Sequence, residues 1–213
     1  MKNFNFNKKI RLLDKKTLNK QKINNDKINL INIELYSSNI KKIKLKSNYI
    51  ERCFNLAFEL IKDGYTDKLI NGPINKKKFL NKKFLGITEY IASKFNKKKI
   101  GMLIYNKRLS VSPLTTHLPL KLVSKKITKK LIEEKVIIIN DFFRKKLQLR
   151  AKIAVVGLNP HCESIDKFNE DDKIVSSAIK SLIKKRINVK GPYPADTIFL
   201  KANRNEFNIV LGM

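Results

Sequence analysis

Apolar residues follow two different spacings along this chain, and the two spacings alternate. Short apolar segments typical of strands occur at residues 29–35, 102–105, 109–114, 153–157 and 207–211. Apolar positions with helical spacing occur in four other segments, residues 47–61, 88–95, 127–149 and 171–185. Strands that alternate with helices predict an α/β fold with a mainly parallel sheet. The segment IAVVG is the strongest strand prediction, because a strand buried on both faces requires an unbroken apolar run.

Other segments predict turns and irregular structure. The first ~25 residues are polar and follow neither spacing, which predicts a loose start or the tail of something missing. Gly64 is a candidate helix end. Residues 68–70 predict the buried end of a strand, and residues 191–194 predict a loop because Gly and Pro favour turns.

Composition limits the class of protein. Hydrophobic residues make up 42% of the 213 residues, and the 7 Gly and 6 Pro are too few for a collagen-like or linker sequence. Cys53 and Cys162 form no Cys-x-x-Cys pair, which favours free thiols in a reducing cytoplasm. The N-terminus lacks the apolar region of a signal peptide, and no stretch reaches the ~18 apolar residues of a transmembrane helix. We therefore expect a cytoplasmic protein with no membrane segment.

The formal net charge of +29 comes mainly from lysines that are spread along the whole chain. Lys, Asn and Ile are all abundant and share AT-rich codons, so genome composition accounts for much of this charge. The sequence has no Arg-rich tail and no aromatic-basic motif of RNA-binding domains. Nucleic acid is therefore an unfavoured partner. A basic RNA-binding protein stays open as an alternative, and it predicts one contiguous lysine face and a steep salt dependence.

The two histidines occur in similar places. His117 follows the predicted strand 109–114, and His161 follows the predicted strand 153–157. Loops that leave the carboxyl ends of strands converge on the ligand crevice of open α/β sheets, so the two side chains can meet. A third loop presents Asp196. Neutral imidazoles with a carboxylate suit Zn²⁺ or a similar divalent ion, whereas the alternative is that both histidines are ordinary polar loop residues.

Two further loops carry weaker signals. Lys76, in the segment NGPINK, either offers a cation to an anionic group or belongs to a plain turn. Thr88, in the segment GITEY, is a candidate helix cap or first-turn residue. The chain contains neither a Walker A loop nor a Gly-x-Gly-x-x-Gly motif, so a P-loop or Rossmann nucleotide site has no support.

Five motifs together resemble a known family. They are NGPINK (71–76), GITEY (86–90), TTHLPL (115–120), GLNPHCES (157–164) and GPYPADT (191–197). Their order and spacing are similar to those of the 4-hydroxythreonine-4-phosphate dehydrogenase family of pyridoxal-phosphate biosynthesis, over roughly residues 28–213.

The resemblance implies a fold and an assembly. The fold is α/β, a three-layer α/β/α architecture like that of isocitrate and isopropylmalate dehydrogenases, with two domains and a cleft. Residues 1–84 would belong to a partial first domain, and residues 85–213 to a second domain that carries the metal ligands and the dimer interface. The resemblance further implies a homodimer with shared active sites.

The resemblance also implies a reaction. Members of the family oxidise 4-phosphooxy-L-threonine with NAD⁺, and the product loses CO₂ to give 3-amino-2-oxopropyl phosphate. A divalent metal (Zn, Mg, Co or Mn) assists both steps. Carried over by motif, His117 and His161 are metal ligands, Thr88 contacts the substrate, and Asp196 and Lys76 are the catalytic candidates. The resemblance assigns no NAD-binding residue.

The chain departs from the family pattern at three places. Ile87 stands at a substrate-binding position where the family usually has His, which keeps open a related dehydrogenase of phosphorylated sugar acids such as threonate phosphate. Cys162-Glu163-Ser164 replaces the usual Ala-Gly-Glu after His161. The family's N-terminal Gly-Asp-Pro-Ala-Gly segment and its Tyr-His-Asp-Gln motif, with a third metal His, are absent. We therefore expect a fragment that lacks both ends, binds metal weakly and has low activity.

Overall fold

The protein is described by a computed structural model that covers residues 8–21, 23, 26–34, 42–81, 83–164 and 168–213. The chain forms two compact units, Met1–Phe84 and Leu85–Met213. Within the described residues, no helix is both long enough and apolar enough to cross a membrane.

The first unit contains a small parallel sheet. Its strands β1 (Ile10–Leu12) and β2 (Ile28–Leu30) pair directly, and a 3₁₀ helix (Lys15–Lys20) lies between them in sequence. For residues 10–20 the predicted loose start is therefore wrong, because a strand of three residues is too short to show a periodic pattern, and residues 1–7 lie outside the described part of the chain. The strand predicted at residues 29–35 is confirmed only at its beginning, and its last residue lies outside the described part of the chain.

Helices α1 (Lys42–Lys62) and α2 (Lys76–Leu80) complete the first unit. The aromatic ring of Phe54 on α1 stacks on that of Phe79 on α2 at 5.3 Å between centroids. As predicted, the helical segment ends at Gly64, whose φ of +80° favours glycine. Residues 68–70 form no strand, and the side chain of Ile70 is 97% exposed, so the predicted buried strand end is wrong.

The second unit is built on a four-stranded parallel sheet with the strand order β3-β6-β4-β5. Its strands are β3 (Ser110–Pro113), β4 (Ile153–Val156), β5 (Val189–Tyr193) and β6 (Ile209–Gly212). All four residues of β4 are buried, which confirms the strongest strand prediction. The segment 102–105 contributes only a single antiparallel bridge, between Ile104 and Val111.

The described residues of the same unit also form five α-helices. They are α3 (Ile87–Lys94), α4 (Leu120–Lys126), α5 (Lys129–Lys146), α6 (Ser177–Lys184) and α7 (Lys201–Arg204). Helix α5 confirms the helix predicted at residues 127–149, and Thr128 caps it by accepting the backbone N–H of Leu131. The predicted helix 171–185 begins with a π-helical turn, Asp171–Ser176, and continues as α6.

Side chains cover both faces of the sheet in the second unit. Ile153 and Val155 of β4 join one cluster, whereas Ala154 and Val156 join another, as the alternation of a strand requires. The first cluster contains the buried faces of α5 and α6, and the second contains Ile198 and Phe207. The predicted α/β fold with a parallel sheet is therefore confirmed.

Residues 191–194 do not form the predicted loop, because most of them belong to β5. Pro192 has no backbone N–H to donate, so proline within a sheet is confined mainly to edge strands. Strand β5 lies at the edge, where it pairs only with β4, and it therefore accommodates this proline. A Cβ at Gly191 would lie 2.4 Å from the carbonyl oxygen of Val155, so the close approach of the two strands requires glycine.

Candidate functional site

His117 and His161 follow two strands that flank the same neighbour. Strands β3 and β4 both pair in parallel with β6, so the two histidine loops leave one edge of the sheet on either side of β6. Neighbouring strands lie about 4.8 Å apart, which separates β3 from β4 by about 10 Å. The loops must therefore converge over the end of β6 for both imidazoles to bind one ion. Both histidine residues are exposed.

Both histidines also have left-handed backbone conformations. The φ angle is +57° at His117 and +55° at His161, and Cys162 follows with +63°. Few residues other than Gly adopt this region, although Asn, Asp and His do so more often than the rest, and such conformations persist only where neighbouring groups hold them. The two loops are therefore held in unusual shapes by their surroundings.

The imidazole of His117 lies beside the start of helix α3. A Cβ at Gly86 would lie 3.9 Å from His117 Nε2 and 2.8 Å from Glu89 Oε2, so both groups border the same small space. Glu89 Oε2 is buried and accepts no hydrogen bond within the described structure. The segments GITEY and TTHLPL thus meet, and they place a carboxylate near His117.

Sequence reasoning missed Glu89. Its only signal was its position in the first turn of α3, where an acidic residue is explained by the helix dipole alone. Gly86 is the N-cap of this helix, so Thr88 is a first-turn residue rather than the cap. Thr88 is exposed, whereas Ile87 is half-buried.

The loop that carries His161 is held by a buried carboxylate. Asp171 is fully buried and accepts hydrogen bonds from the backbone N–H groups of Leu158 at 2.7 Å and Asn159 at 2.9 Å. His161 itself lies in a short 3₁₀ turn, Pro160–Cys162. Sequence reasoning placed Asp171 only at the start of a helix, because nothing in the sequence indicates that its side chain turns back to residues 158 and 159.

The pKa of the Cys162 thiol depends on burial and on the charges around this loop. Burial raises its pKa, and the negative charges of Asp171, Asp196 and Glu163 raise it further, against a lowering hydrogen bond with the Gly157 backbone. Asp196 is exposed on the segment after β5, and this segment leaves the same edge of the sheet as the His161 loop because β5 pairs in parallel with β4. Cys162 is a free cysteine whose thiol stays protonated.

Lys76 lies in the first unit, as the first residue of α2, and its side chain is exposed. Asn75 caps this helix by accepting the backbone N–H of Lys78 at 3.1 Å. The preceding residues Asn71 and Gly72 line an apolar cavity of about 300 Å³ against α1. The NGPINK segment is therefore a helix start beside a cavity.

The described residues include no group of three or more His, Cys, Asp or Glu side chains placed to hold a metal ion. The two histidines and the nearby carboxylates of Glu89 and Asp196 are thus separate candidates along one region of the second unit. They do not by themselves complete a coordination shell.

Comparison with protein families and characterised proteins gives a consistent result. The profile of the pyridoxal phosphate biosynthetic protein PdxA matches residues 2–213. The chain is 35% identical over 172 residues to a 4-hydroxythreonine-4-phosphate dehydrogenase of Neisseria meningitidis serogroup A, which covers 78% of this chain and 52% of that protein. It is also 35% identical over 188 residues to the enzyme of the same name from Sulfurihydrogenibium sp., which covers 86% of this chain and 56% of that protein.

A second enzyme name occurs among the relatives. The D-threonate 4-phosphate dehydrogenase of Pectobacterium atrosepticum is 31% identical over 166 residues, which covers 76% of this chain and 51% of that protein. The chain spans about half the length of the curated relatives that it matches.

Solved structures have the same fold. A 4-hydroxythreonine-4-phosphate dehydrogenase from Klebsiella pneumoniae superposes with a TM-score of 0.79 at 24% identity, over 96% of this chain and 65% of that chain. The corresponding structure from Burkholderia phymatum gives a TM-score of 0.77 at 24% identity, over 96% of this chain and 64% of that chain. At this identity, the likeness supports the fold alone.

Proposed function

The chain belongs to the PdxA family of pyridoxal phosphate biosynthetic proteins, and on that premise we propose that it serves the NAD-linked, metal-dependent oxidation of 4-phosphooxy-L-threonine. Decarboxylation to 3-amino-2-oxopropyl phosphate would follow. The single observation that carries this proposal is the placement of His117 and His161 beyond strands that both flank β6, at one edge of the sheet. That is the edge at which open α/β sheets bind their ligands.

The chemistry of the donors supports a divalent ion at this edge. Imidazole nitrogens suit Zn²⁺ or Co²⁺ better than Mg²⁺, which prefers oxygen ligands. When bound by His117 and His161, the ion would supply Lewis-acid polarisation of the reacting C–O group. Catalytic zinc sites take about three protein ligands and keep one open position. Two histidines are therefore a partial set, and a further donor would come from outside the described residues or from a second copy of the chain.

The remaining site residues would bind and orient the substrate. Thr88 presents an exposed hydroxyl in the first turn of α3, where the positive end of the helix dipole favours an anionic group. Asp196 presents an exposed carboxylate after β5, at the same edge of the sheet as the His161 loop, suited to hold a substrate cation or to take a proton. Lys76 offers its ammonium group to an anion. NAD⁺ would accept the hydride, and no described residue is assigned to it.

A second substrate is favoured by one specific residue. Ile87 is half-buried and has no donor or acceptor on its side chain, so it cannot hydrogen-bond the polar group that a histidine would reach at this position. A relative at 31% identity is a D-threonate 4-phosphate dehydrogenase. D-Threonate 4-phosphate, which has a hydroxyl where the threonine substrate has an amino group, is therefore the alternative substrate.

Calorimetry with the zinc-loaded protein tests the proposal and ranks the two substrates. We expect both phosphorylated acids to bind only in the presence of zinc, and we expect Thr88→Val to weaken binding while Thr88→Ser retains it. Restoring a histidine by Ile87→His should shift the preference toward 4-phosphooxy-L-threonine. Zinc-independent binding of equal strength, or none with zinc present, would contradict the proposal.

We further propose a homodimer in the reducing cytoplasm. Met102, Ile104, Tyr105 and Phe142 are large apolar residues that are each at least 39% exposed. Met102, Tyr105 and Phe142 border one cavity of about 370 Å³ against α5. An exposed apolar surface of this kind is typical of a contact with another chain. The free thiols of Cys53 and Cys162 are consistent with a reducing compartment.

A further inference from the structure

We propose that Asp171 is a positioning residue for His161, and that it acts together with Asn169 and Glu170. These three residues, called the 169–171 clamp below, fix the backbone of residues 157–162 and thereby present the imidazole. The role of His161 as a metal ligand rests on the proposed function, whereas the clamp itself rests on the contacts described next.

The centre of the clamp is the Asp171 carboxylate. Its Oδ1 accepts the N–H of Leu158 at 2.7 Å, and its Oδ2 accepts the N–H of Asn159 at 2.9 Å. The residue is completely buried. A buried carboxylate is unfavourable unless it is hydrogen-bonded, and hydrogen bonds to a charged acceptor are stronger than neutral ones. Both oxygens thus hold the strand exit just before the histidine turn.

The two preceding residues hold the loop at further points. Glu170 Oε2 accepts a hydrogen bond from the Asn159 side-chain amide at 3.0 Å. The Asn169 amide donates to the carbonyl oxygen of Cys162 at 3.3 Å, directly after His161. Asn169 Oδ1 also accepts the backbone N–H of Asp171 at 2.9 Å, which connects the two contacts. The clamp therefore holds the loop on both sides of His161.

The conformation of the loop explains why it needs this support. His161 and Cys162 have consecutive left-handed φ angles of +55° and +63°. Two adjacent residues with side chains seldom adopt this conformation without outside contacts. The hydrogen bonds of the clamp reach residues 158 and 159 before this pair and Cys162 within it. They therefore favour the left-handed turn over a right-handed or extended backbone. The direction of the imidazole depends on that turn.

Gly157 has no side chain, and this leaves room for the Asp171 carboxylate. A Cβ at Gly157 would lie 3.0 Å from Asp171 Oδ1 and 2.6 Å from Cys162 Sγ. The carboxylate and the thiol thus occupy the space that a side chain at this position would need. The Glu170 side chain does not cap the π-helical turn that begins at Asp171, and it contacts the Asn159 amide instead.

The test measures zinc affinity and the absorption spectrum of the Co²⁺-loaded protein for Asp171→Asn and for the matched control Asp172→Asn. Asp172 is the exposed neighbour on the same turn. Loss of an outer-shell partner typically lowers metal affinity by about 10- to 100-fold. We expect that loss and an altered Co²⁺ spectrum for Asp171→Asn, together with faster amide hydrogen exchange at Leu158 and Asn159. The control variant should match the wild type in all three measurements.

Asn169→Ala is a second variant in case Asp171→Asn does not fold. It removes only the bond to Cys162 and the acceptor for the Asp171 N–H, and we expect a several-fold weaker zinc affinity. A folded Asp171→Asn or Asn169→Ala protein with wild-type affinity, spectrum and amide exchange would overturn the proposal.

A His161→Ala protein separates this proposal from the proposed function. If it retains wild-type zinc affinity, the assignment of the metal ligand fails. The clamp is then judged by amide exchange alone: faster exchange at residues 158 and 159 in Asp171→Asn supports it, and unchanged exchange overturns it.

Discussion

His117 Nε2 and Glu89 Oε2 both lie within 3.9 Å of the position that a Cβ on Gly86 would occupy. This relationship connects a loop that follows β3 with the first turn of α3, two segments that are about thirty residues apart. The Glu89 oxygen is buried and accepts no hydrogen bond in the described part of the protein. An unpaired buried acceptor normally costs about 1–3 kcal/mol. The presence of this buried carboxylate beside an imidazole is explained if its negative charge stabilises a cation that His117 binds.

Glu89→Gln tests this explanation. Loss of the negative charge should weaken zinc binding several-fold, because a nearby carboxylate stabilises the bound cation. The free energy of unfolding should change by less than about 1 kcal/mol, since Gln keeps the size of the side chain and a buried oxygen, and the lost dipole interaction is worth at most about that much. Zinc titration and urea unfolding measure the two effects. Glu206→Gln is the matched control, because Glu206 is exposed and forms only a surface ion pair with Lys190.

Gly191→Ala should be strongly destabilising. The φ of Gly191 is +142°, and a Cβ there would lie 2.4 Å from the carbonyl oxygen of Val155 in the neighbouring strand. Because backbone must move to relieve this contact, we expect a loss of about 3 kcal/mol or more in the free energy of unfolding, measured by urea denaturation.

Gly72→Ala provides the comparison for this glycine. Among the described residues other than its two chain neighbours, none has an atom within 4 Å of a Cβ at Gly72, and the φ of Gly72 does not favour glycine. The free energy of unfolding of Gly72→Ala should stay within about 0.5 kcal/mol of the wild-type value. Similar losses in both variants would show that the contact between β5 and β4 is not the cause.

Helix α6 provides a matched pair of core and surface substitutions. Leu182 is completely buried in the cluster beneath α5, whereas its neighbour Ile183 is 54% exposed. We expect Leu182→Ala to cost about 2–5 kcal/mol, because it removes apolar contacts and leaves a cavity. Ile183→Ala should cost less than about 1 kcal/mol. Equal costs in thermal or urea unfolding would contradict the placement of this helix on the sheet.

The ion pair between Glu133 on α5 and Lys185 after α6 should make stability depend on pH. The ammonium of Lys185 donates to Glu133 at 2.8 Å and, as the largest cause, lowers the pKa of that carboxyl below its ordinary value. Because of the lowered pKa, Glu133 ionises more readily in the folded protein than in the unfolded chain. The ion pair therefore contributes to the free energy of unfolding at neutral pH. It is lost as the pH falls through the lowered pKa.

Lys185→Met measures this contribution. Lys185 is half exposed, so we expect the variant to lose at most about 1 kcal/mol at pH 7. In acid, where Glu133 is protonated in both states, the wild type and the variant should have the same stability. Urea unfolding at both pH values gives the comparison, and a difference that grows in acid would contradict the direction given for the pKa.

The sequence was informative where a local pattern determines the structure. The short apolar run 153–157 predicted β4, and the helical spacing of residues 127–149 predicted α5, whereas the Thr128 cap was seen only in the structure. The histidines became candidates because parallel strands present the loops that follow them at one edge of the sheet. Family motifs then indicated a function that no local pattern contains.

The sequence was less informative where structure depends on a distant partner. Strand β5 contains Gly and Pro, which favour turns, and it exists because β4 offers it an edge pairing. Ile70 is apolar but exposed. Asp171 resembles any acidic residue at a helix start, and its contact with Leu158 and Asn159 is tertiary. Glu89 was missed for the same reason.

The proposed function requires that His117 and His161 bind one divalent ion. Zinc affinity tests this requirement directly. It is measured by competition with a chromophoric chelator for the wild type, His117→Ala, His161→Ala and the double variant. If the ion is shared, each single variant loses most of the zinc affinity. The double variant should then bind zinc far more tightly than the sum of the two single losses predicts, because the second change removes a ligand of a site that is already lost. Wild-type affinity in either single variant, or losses that simply add, would contradict the claim.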